Sequence, residues 1–238
     1  MQRALVGATG ALAAVAVLAG GGSAGERLAW IGIGAVALAT LGLSRLPRLG
    51  REGVALVATL AAFALWSGIT IVWSIDPDRS WEATNRAFVY LAFLLLGTLV
   101  PRALAAWGLG LLAGAATGWA LLGKVLPAVG PDTDRSARLL EPVGYWNALA
   151  LLVAMALPVW LRLAARGRDW ATVALFVSLV ALALTTSRGG IAVAVVACGA
   201  WFLLARPRFD GAVALAVAGP PAAAVSAWAL SRPGIADA

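Results

Sequence analysis

RSARLLEPVGYWNALALLVAMALPVWL, residues 135–161, changes character halfway along. Arg135, Arg138 and Glu141 lie in a polar loop that bends at Pro142 and Gly144 and then passes Tyr145, Trp146 and Asn147. From Trp146 to Leu161 no charge follows. A run of that kind fits lipid, where a helix satisfies its backbone N–H and C=O groups internally. The loop is therefore either a connector between two membrane helices or the rim of a polar site.

The whole chain shares this apolar bias. Of 238 residues, 62% are hydrophobic and 12% charged, and the mean hydropathy is +0.91. Soluble domains carry roughly 25% charged and 45–50% apolar residues, so a soluble protein is excluded. The expected class is all-α, a polytopic bundle of transmembrane helices. The net charge of +7 then reflects basic cytoplasmic loops rather than a nucleic-acid partner. Cys198 is the one cysteine, so no internal disulfide forms, and its apolar surroundings suit a small buried hydrophobe. Histidine is absent, which removes the commonest general base and metal ligand.

A helix needs about 20 apolar residues to span a bilayer. Nine segments are candidates, near 4–22, 28–44, 53–73, 86–101, 103–122, 146–163, 170–187, 190–205 and 211–230, the fourth and eighth of them short. The first has Arg3, an apolar core and small residues at Gly22, Ser23 and Ala24, as a signal peptide does. The spans that follow make it an uncleaved first helix instead. With the amino terminus inside, the Arg45, Arg48 and Arg51 group, the Arg162, Arg166 and Arg168 group, and the Arg206 and Arg208 pair all fall on the cytoplasmic side. Outer loops then balance basic against acidic residues, as the positive-inside rule requires. The carboxyl end emerges outside. The expected location is the cytoplasmic (inner) membrane, multi-pass, with the lipid bilayer as an obligatory partner.

Three outer elements share one face: the Ser74–Arg86 loop, the Gly123–Trp146 loop and the Thr186–Gly190 turn. Trp73, Trp81 and Trp146 sit where indoles anchor at the interface, with Trp107 and Trp170 on the other side. Gly110, Gly114 and Gly118 form a small-residue ridge for close helix packing. GWALLGK at 118–124 has the spacing of a phosphate loop up to its lysine. It lacks the following Ser or Thr and a preceding strand, so a membrane helix ending at Lys124 explains it.

Arg188, in TTSRGG between two apolar helices, has no acidic neighbour in sequence. One reading is an arginine snorkelling to the headgroups. The other is an anion-binding guanidinium lining an outer cavity, where Gly189 and Gly190 let backbone approach the same ligand. Arg135 and Arg138, among Asp132, Asp134 and Glu141, make either a solvated loop with weak ion pairs or part of that cavity. Tyr145, Trp146 and Asn147 suit a sugar ring or a polyprenyl phosphate head, though interface anchoring places aromatic rings there too.

RLLEPVGYWNALALLVAMALPVWL, followed by LTTSRGGIAVAVVACGAWFLL and preceded by WSIDP at Trp73–Pro77, resembles the O-antigen ligase/polymerase family of bacterial membrane proteins. The resemblance implies a metal-independent, inverting glycosyl transfer without cofactor on the outer side of the cytoplasmic membrane. Its donor is a glycan on undecaprenyl pyrophosphate, and its acceptor a glycan, a lipid or a protein. It implies pyrophosphate-binding roles for Arg188, for Arg138 and, at the outer end of the fourth helix, for Arg86. Tyr145, Trp146, Asn147 and Gly189 become candidate cavity-lining residues.

The family's acceptor-activating base is a histidine in a large outer loop, which this sequence does not contain. No catalytic residue is therefore assigned here. The resemblance implies that residues 1–238 are one transmembrane domain, the amino-terminal part of a longer ligase-like domain, and inactive in transfer alone. A transporter or flippase for a lipid-linked or small anionic substrate is the alternative, with Arg188 as a substrate contact. Against it, the halves show no repeat and no helix carries a central acidic residue. A purely structural scaffold explains the glycine ridge but not Arg188.

Overall fold

The computed structural model describes residues 2–18, 25–42, 49–126 and 138–232. Nine α-helices run through them: α1 Gln2–Leu18, α2 Gly25–Gly42, α3 Arg51–Thr70, α4 Pro77–Leu99, α5 Arg102–Val125, α6 Trp146–Ala164, α7 Asp169–Leu184, α8 Arg188–Leu204 and α9 Arg208–Leu230. Among the described residues four stretches are long and apolar enough to cross a membrane: 51–73, 102–125, 146–164 and 208–230. The first has a mean hydropathy of 2.1 with only 6% of its window buried in the protein. So much bare apolar surface is unfavourable in water and natural against lipid. Within it, the Ser67 and Thr70 hydroxyls donate to the carbonyls of Phe63 and Ser67, so neither hydroxyl hydrogen is unmatched.

The fourth helix differs from expectation. Its start lies at Pro77, so most of the segment expected as the outer Ser74–Arg86 loop is helical. Asp76 accepts a hydrogen bond from the Arg79 N–H at 3.2 Å, and Pro77 occupies the first turn. An aspartate cap followed by proline is a strong helix start, and it overrides the low hydropathy of the first turns. Arg86 therefore lies about two and a half turns into α4 rather than at its opening.

The packing gathers the chain into two compact units, one of residues 1–16 and 22–105, the other of 17–21 and 106–238. In the first, small residues set the register. A Cβ on Gly32 would lie 2.9 Å from Val89 Cγ2, and one on Gly42 would lie 2.5 Å from Leu99 Cδ1. Both pairs advance together, so α2 and α4 run parallel, and α3 packs against α4 as well. Ala35, Ala39, Ala92 and Leu96 form the buried core of this unit.

In the second unit α6 is the central helix. Leu149, Val153, Leu157 and Leu161 on it are fully buried among α7, α8 and α9. Its Trp160 indole rests on the glycine ridge of α5, where a Cβ on Gly110 would meet the ring at 2.8 Å. Gly114 touches the edge of the same ring, whereas Gly118 faces open space. The ridge thus receives an aromatic side chain over half its length. GWALLGK lies wholly within α5, so the segment has no loop to cradle a phosphate. Trp107 and Trp170 stack on each other at 5.9 Å, with Trp160 edge-on to Trp170 at 6.0 Å. Cys198 packs half-buried beside this core.

Candidate functional site

The described part of the polar loop packs into the second unit. Leu139, Pro142 and Val143 are buried, and the Leu139 N–H donates to the Leu184 carbonyl at the end of α7. A turn at 141–144 is closed by the Gly144 N–H on the Leu140 carbonyl, with Gly144 at φ 78°, where a side chain would be strained. Arg135 lies outside the described residues. The chain then enters α6 at Trp146.

Opposite, α7 and α8 are joined through Thr185, Thr186 and Ser187. Thr186 takes φ 50°, a left-handed conformation that a β-branched residue adopts only when its surroundings force it. Here they do: Thr185 and Ser187 on either side are buried, and the Ser187 N–H donates to Thr185 Oγ1. This corner sets Ser187 as the N-cap of α8 and Arg188 as its first residue.

The two starts, α6 and α8, meet side by side. Ser187 Oγ donates to Asn147 Oδ1 at 2.7 Å across a sequence gap of 40 residues. One turn further on, Gly190 approaches Ala150 so closely that a Cβ would collide with the Ala150 methyl. The hydrogen-bond directions form a chain. The Gly190 N–H can only donate, so Ser187 Oγ accepts it at 3.0 Å and sends its own hydrogen to Asn147. That fixes the Asn147 amide, whose Nδ2 donates to the Tyr145 hydroxyl oxygen at 2.6 Å. The phenol hydrogen of exposed Tyr145 must therefore point away from Asn147, available to an incoming acceptor.

Arg138, Trp146, Asn147, Ser187, Arg188 and Gly189 line an open cleft of about 580 Å³. The Arg138 guanidinium lies 5.1 Å from the Trp146 ring centroid, a cation–π arrangement. Tyr145 tilts against the same indole at 4.9 Å. Arg188 and Gly189 are exposed, and among the described residues Arg188 forms no hydrogen bond or ion pair. Its position is electrostatically unfavourable, because the first turn of a helix carries the positive end of the helix dipole. The polar rim is rich in donors. Arginine and the tyrosine hydrogen offer no acceptor, so the cleft suits a ligand that brings negative charge and many lone pairs. Trp146 is partly covered by Arg138, which leaves less of its face for a sugar.

Six of the seven expected site residues thus fall in or beside one cleft: Arg138, Tyr145, Trp146, Asn147, Arg188 and Gly189. Arg86 lies in the first unit on α4, where its Nη2 stands 3.6 Å from Glu82 Oε2. Ser187 was not among the expected site residues, yet it holds the two halves of the cleft together. A trace of it is legible in the chain, since a serine shortly before an apolar run, here separated from Ile191 by Arg188 and two glycines, can mark a helix cap. Ser187→Ala removes the cap and leaves Asn147 Oδ1 unmatched. The expected cost is about 1–2 kcal/mol, read as a lower unfolding temperature in detergent; an unchanged temperature would show that the bridge contributes nothing.

Fold and cleft together define an all-helical protein with helices fit to cross a membrane and a donor-rich polar cleft where two of its helices begin. Set against protein-family models, curated proteins and solved structures, the chain matches none.

Proposed function

We propose that this chain is a membrane glycosyltransferase component of the O-antigen ligase/polymerase type. In this reading all nine helices span the cytoplasmic membrane, amino terminus inside, and the cleft opens outward. It receives the pyrophosphate of an undecaprenyl-pyrophosphate-linked glycan, which passes to a glycan, lipid or protein acceptor. The observation that carries the reading is Arg188: a cation at the positive end of α8, without a partner among the described residues, in a cleft rimmed by donors. A bound pyrophosphate removes that penalty, being drawn by the guanidinium and by the helix terminus together. Arg138 and the Tyr145 hydroxyl supply further donors to phosphate oxygens, and Arg188 is suited to grip two oxygens at once.

The test uses the full chain purified in detergent, titrated with undecaprenyl pyrophosphate and, separately, with undecaprenol. The pyrophosphate lipid is expected to stabilise the fold by about 2.7 kcal/mol at a hundredfold excess over Kd, and the alcohol far less. Incubation with a lipid-linked glycan and an acceptor is expected to give no transfer, since the chain has no histidine to serve as base. Equal stabilisation by the alcohol and the pyrophosphate would remove the anion site from this cleft.

A further inference from the structure

A second hollow of about 580 Å³ lies in the first unit along α2 and α4. Its α2 wall is apolar, from Leu28 through Ile33 and Val36, and its floor is the close approach of Gly32 to Val89. The α4 wall differs. Glu82, Asn85, Arg86 and Val89 recur at helical spacing and so share one stripe, three of them polar at one end of the groove. Glu82 and Arg86 stand 3.6 Å apart with side chains 61% and 47% exposed, so both keep hydrogen-bonding capacity beyond their mutual contact.

An apolar trough of this size, within the roughly 300–1,000 Å³ of small-ligand sites, fits the chain of an amphiphile. The polar end then selects its headgroup. A purely anionic head is attracted to Arg86 but repelled by Glu82, and a purely cationic head meets the reverse. Only a head carrying both charges a few ångströms apart satisfies both. Glu82 further favours a cation with N–H groups, because a carboxylate accepts hydrogen bonds and a trimethylammonium has none to donate. We infer that this groove holds a chain of a zwitterionic aminophospholipid of the phosphatidylethanolamine class. The phosphate lies on Arg86, the ammonium on Glu82 and the Asn85 amide beside them.

The competing account is an ordinary helix-surface pair, worth about 0.2–0.5 kcal/mol, beside a groove filled by whatever lipid is at hand. Native mass spectrometry of the full chain with equimolar phosphatidylethanolamine, phosphatidylcholine and phosphatidylglycerol of identical chains separates the two. The ethanolamine lipid is expected to be retained about tenfold over the others. Glu82→Gln is expected to shift the preference to phosphatidylglycerol, since the repelling carboxylate is gone, and Arg86→Gln to abolish selectivity. Ala37→Trp, at an exposed position on the wall, fills the trough without entering the core and is expected to lose the bound lipid with the unfolding temperature kept. Equal retention of the three lipids by the unsubstituted chain overturns the proposal. So does unaltered selectivity in the two α4 variants, or an ethanolamine lipid still retained by Ala37→Trp.

Discussion

Arg188→Ala is expected to weaken binding of undecaprenyl pyrophosphate by about tenfold to a hundredfold, the range for losing a charge-assisted hydrogen-bond pair of 1.5–3 kcal/mol. The same change is expected to raise the unfolding temperature slightly. The cation opposes the dipole of α8 in its first turn, and alanine is the better helix former. Opposite signs for binding and stability distinguish a ligand-holding arginine from one that anchors the helix at the headgroups, whose loss lowers both. Arg188→Lys keeps the charge but loses the planar fork, so binding is expected between the two. Isothermal titration in detergent, paired with thermal unfolding, reads both quantities. Unchanged affinity in Arg188→Ala would return the residue to a headgroup anchor.

The second large effect is expected at Gly190. A Cβ there would collide with the Ala150 methyl, and would also stand 3.2 Å from Ser187 Oγ and 3.4 Å from the Ala150 carbonyl carbon. In an open helix, glycine to alanine is favourable by about 1 kcal/mol. Here the collision outweighs it, because α6 and α8 must part, and overpacking of this kind costs about 1–3 kcal/mol. Parting them also breaks the Ser187–Asn147 hydrogen bond, so ligand binding falls with stability. Gly190→Val, with two more carbons, is expected to exceed the alanine effect and to prevent accumulation of folded protein. The test is a double-mutant cycle: Ala150→Gly in the Gly190→Ala background removes the opposing methyl. It is expected to recover about 0.5–3 kcal/mol as coupling. Strict additivity would show that the two helices do not meet here.

Much of the architecture was legible along the chain because lipid leaves the backbone few options. Apolar runs in lipid must be helices, and the segments expected at 146–163 and 190–205 lie close to α6 and α8 as observed, although of the two only α6 is long and apolar enough to cross a membrane. The error at α4 has a local cause. Hydropathy reads composition, whereas Asp76 and Pro77 start a helix by hydrogen-bond geometry in a polar stretch. The arginines and the Tyr145–Asn147 cluster were also readable, as polar groups interrupting apolar runs.

How those residues meet was not readable. Asn147 and Ser187 are 40 residues apart; alternating topology starts α6 and α8 on one face, but nothing in either segment states that they are neighbours. That follows from a third-dimension fact, the fit of Gly190 against Ala150. The direction of the Tyr145 hydrogen likewise depends on a chain of bonds that begins at a backbone amide of another helix. The glycine ridge shows the same limit: its spacing announces close packing, but only the folded unit reveals that the partner is the Trp160 ring and that Gly118 takes no part. Sequence alone therefore determined the helices and the chemistry of the polar groups, since both follow from local composition in lipid. Which groups face one cleft, and in which direction their hydrogens point, was decided by tertiary packing, because contact between small residues on separate helices depends on shape rather than on order along the chain.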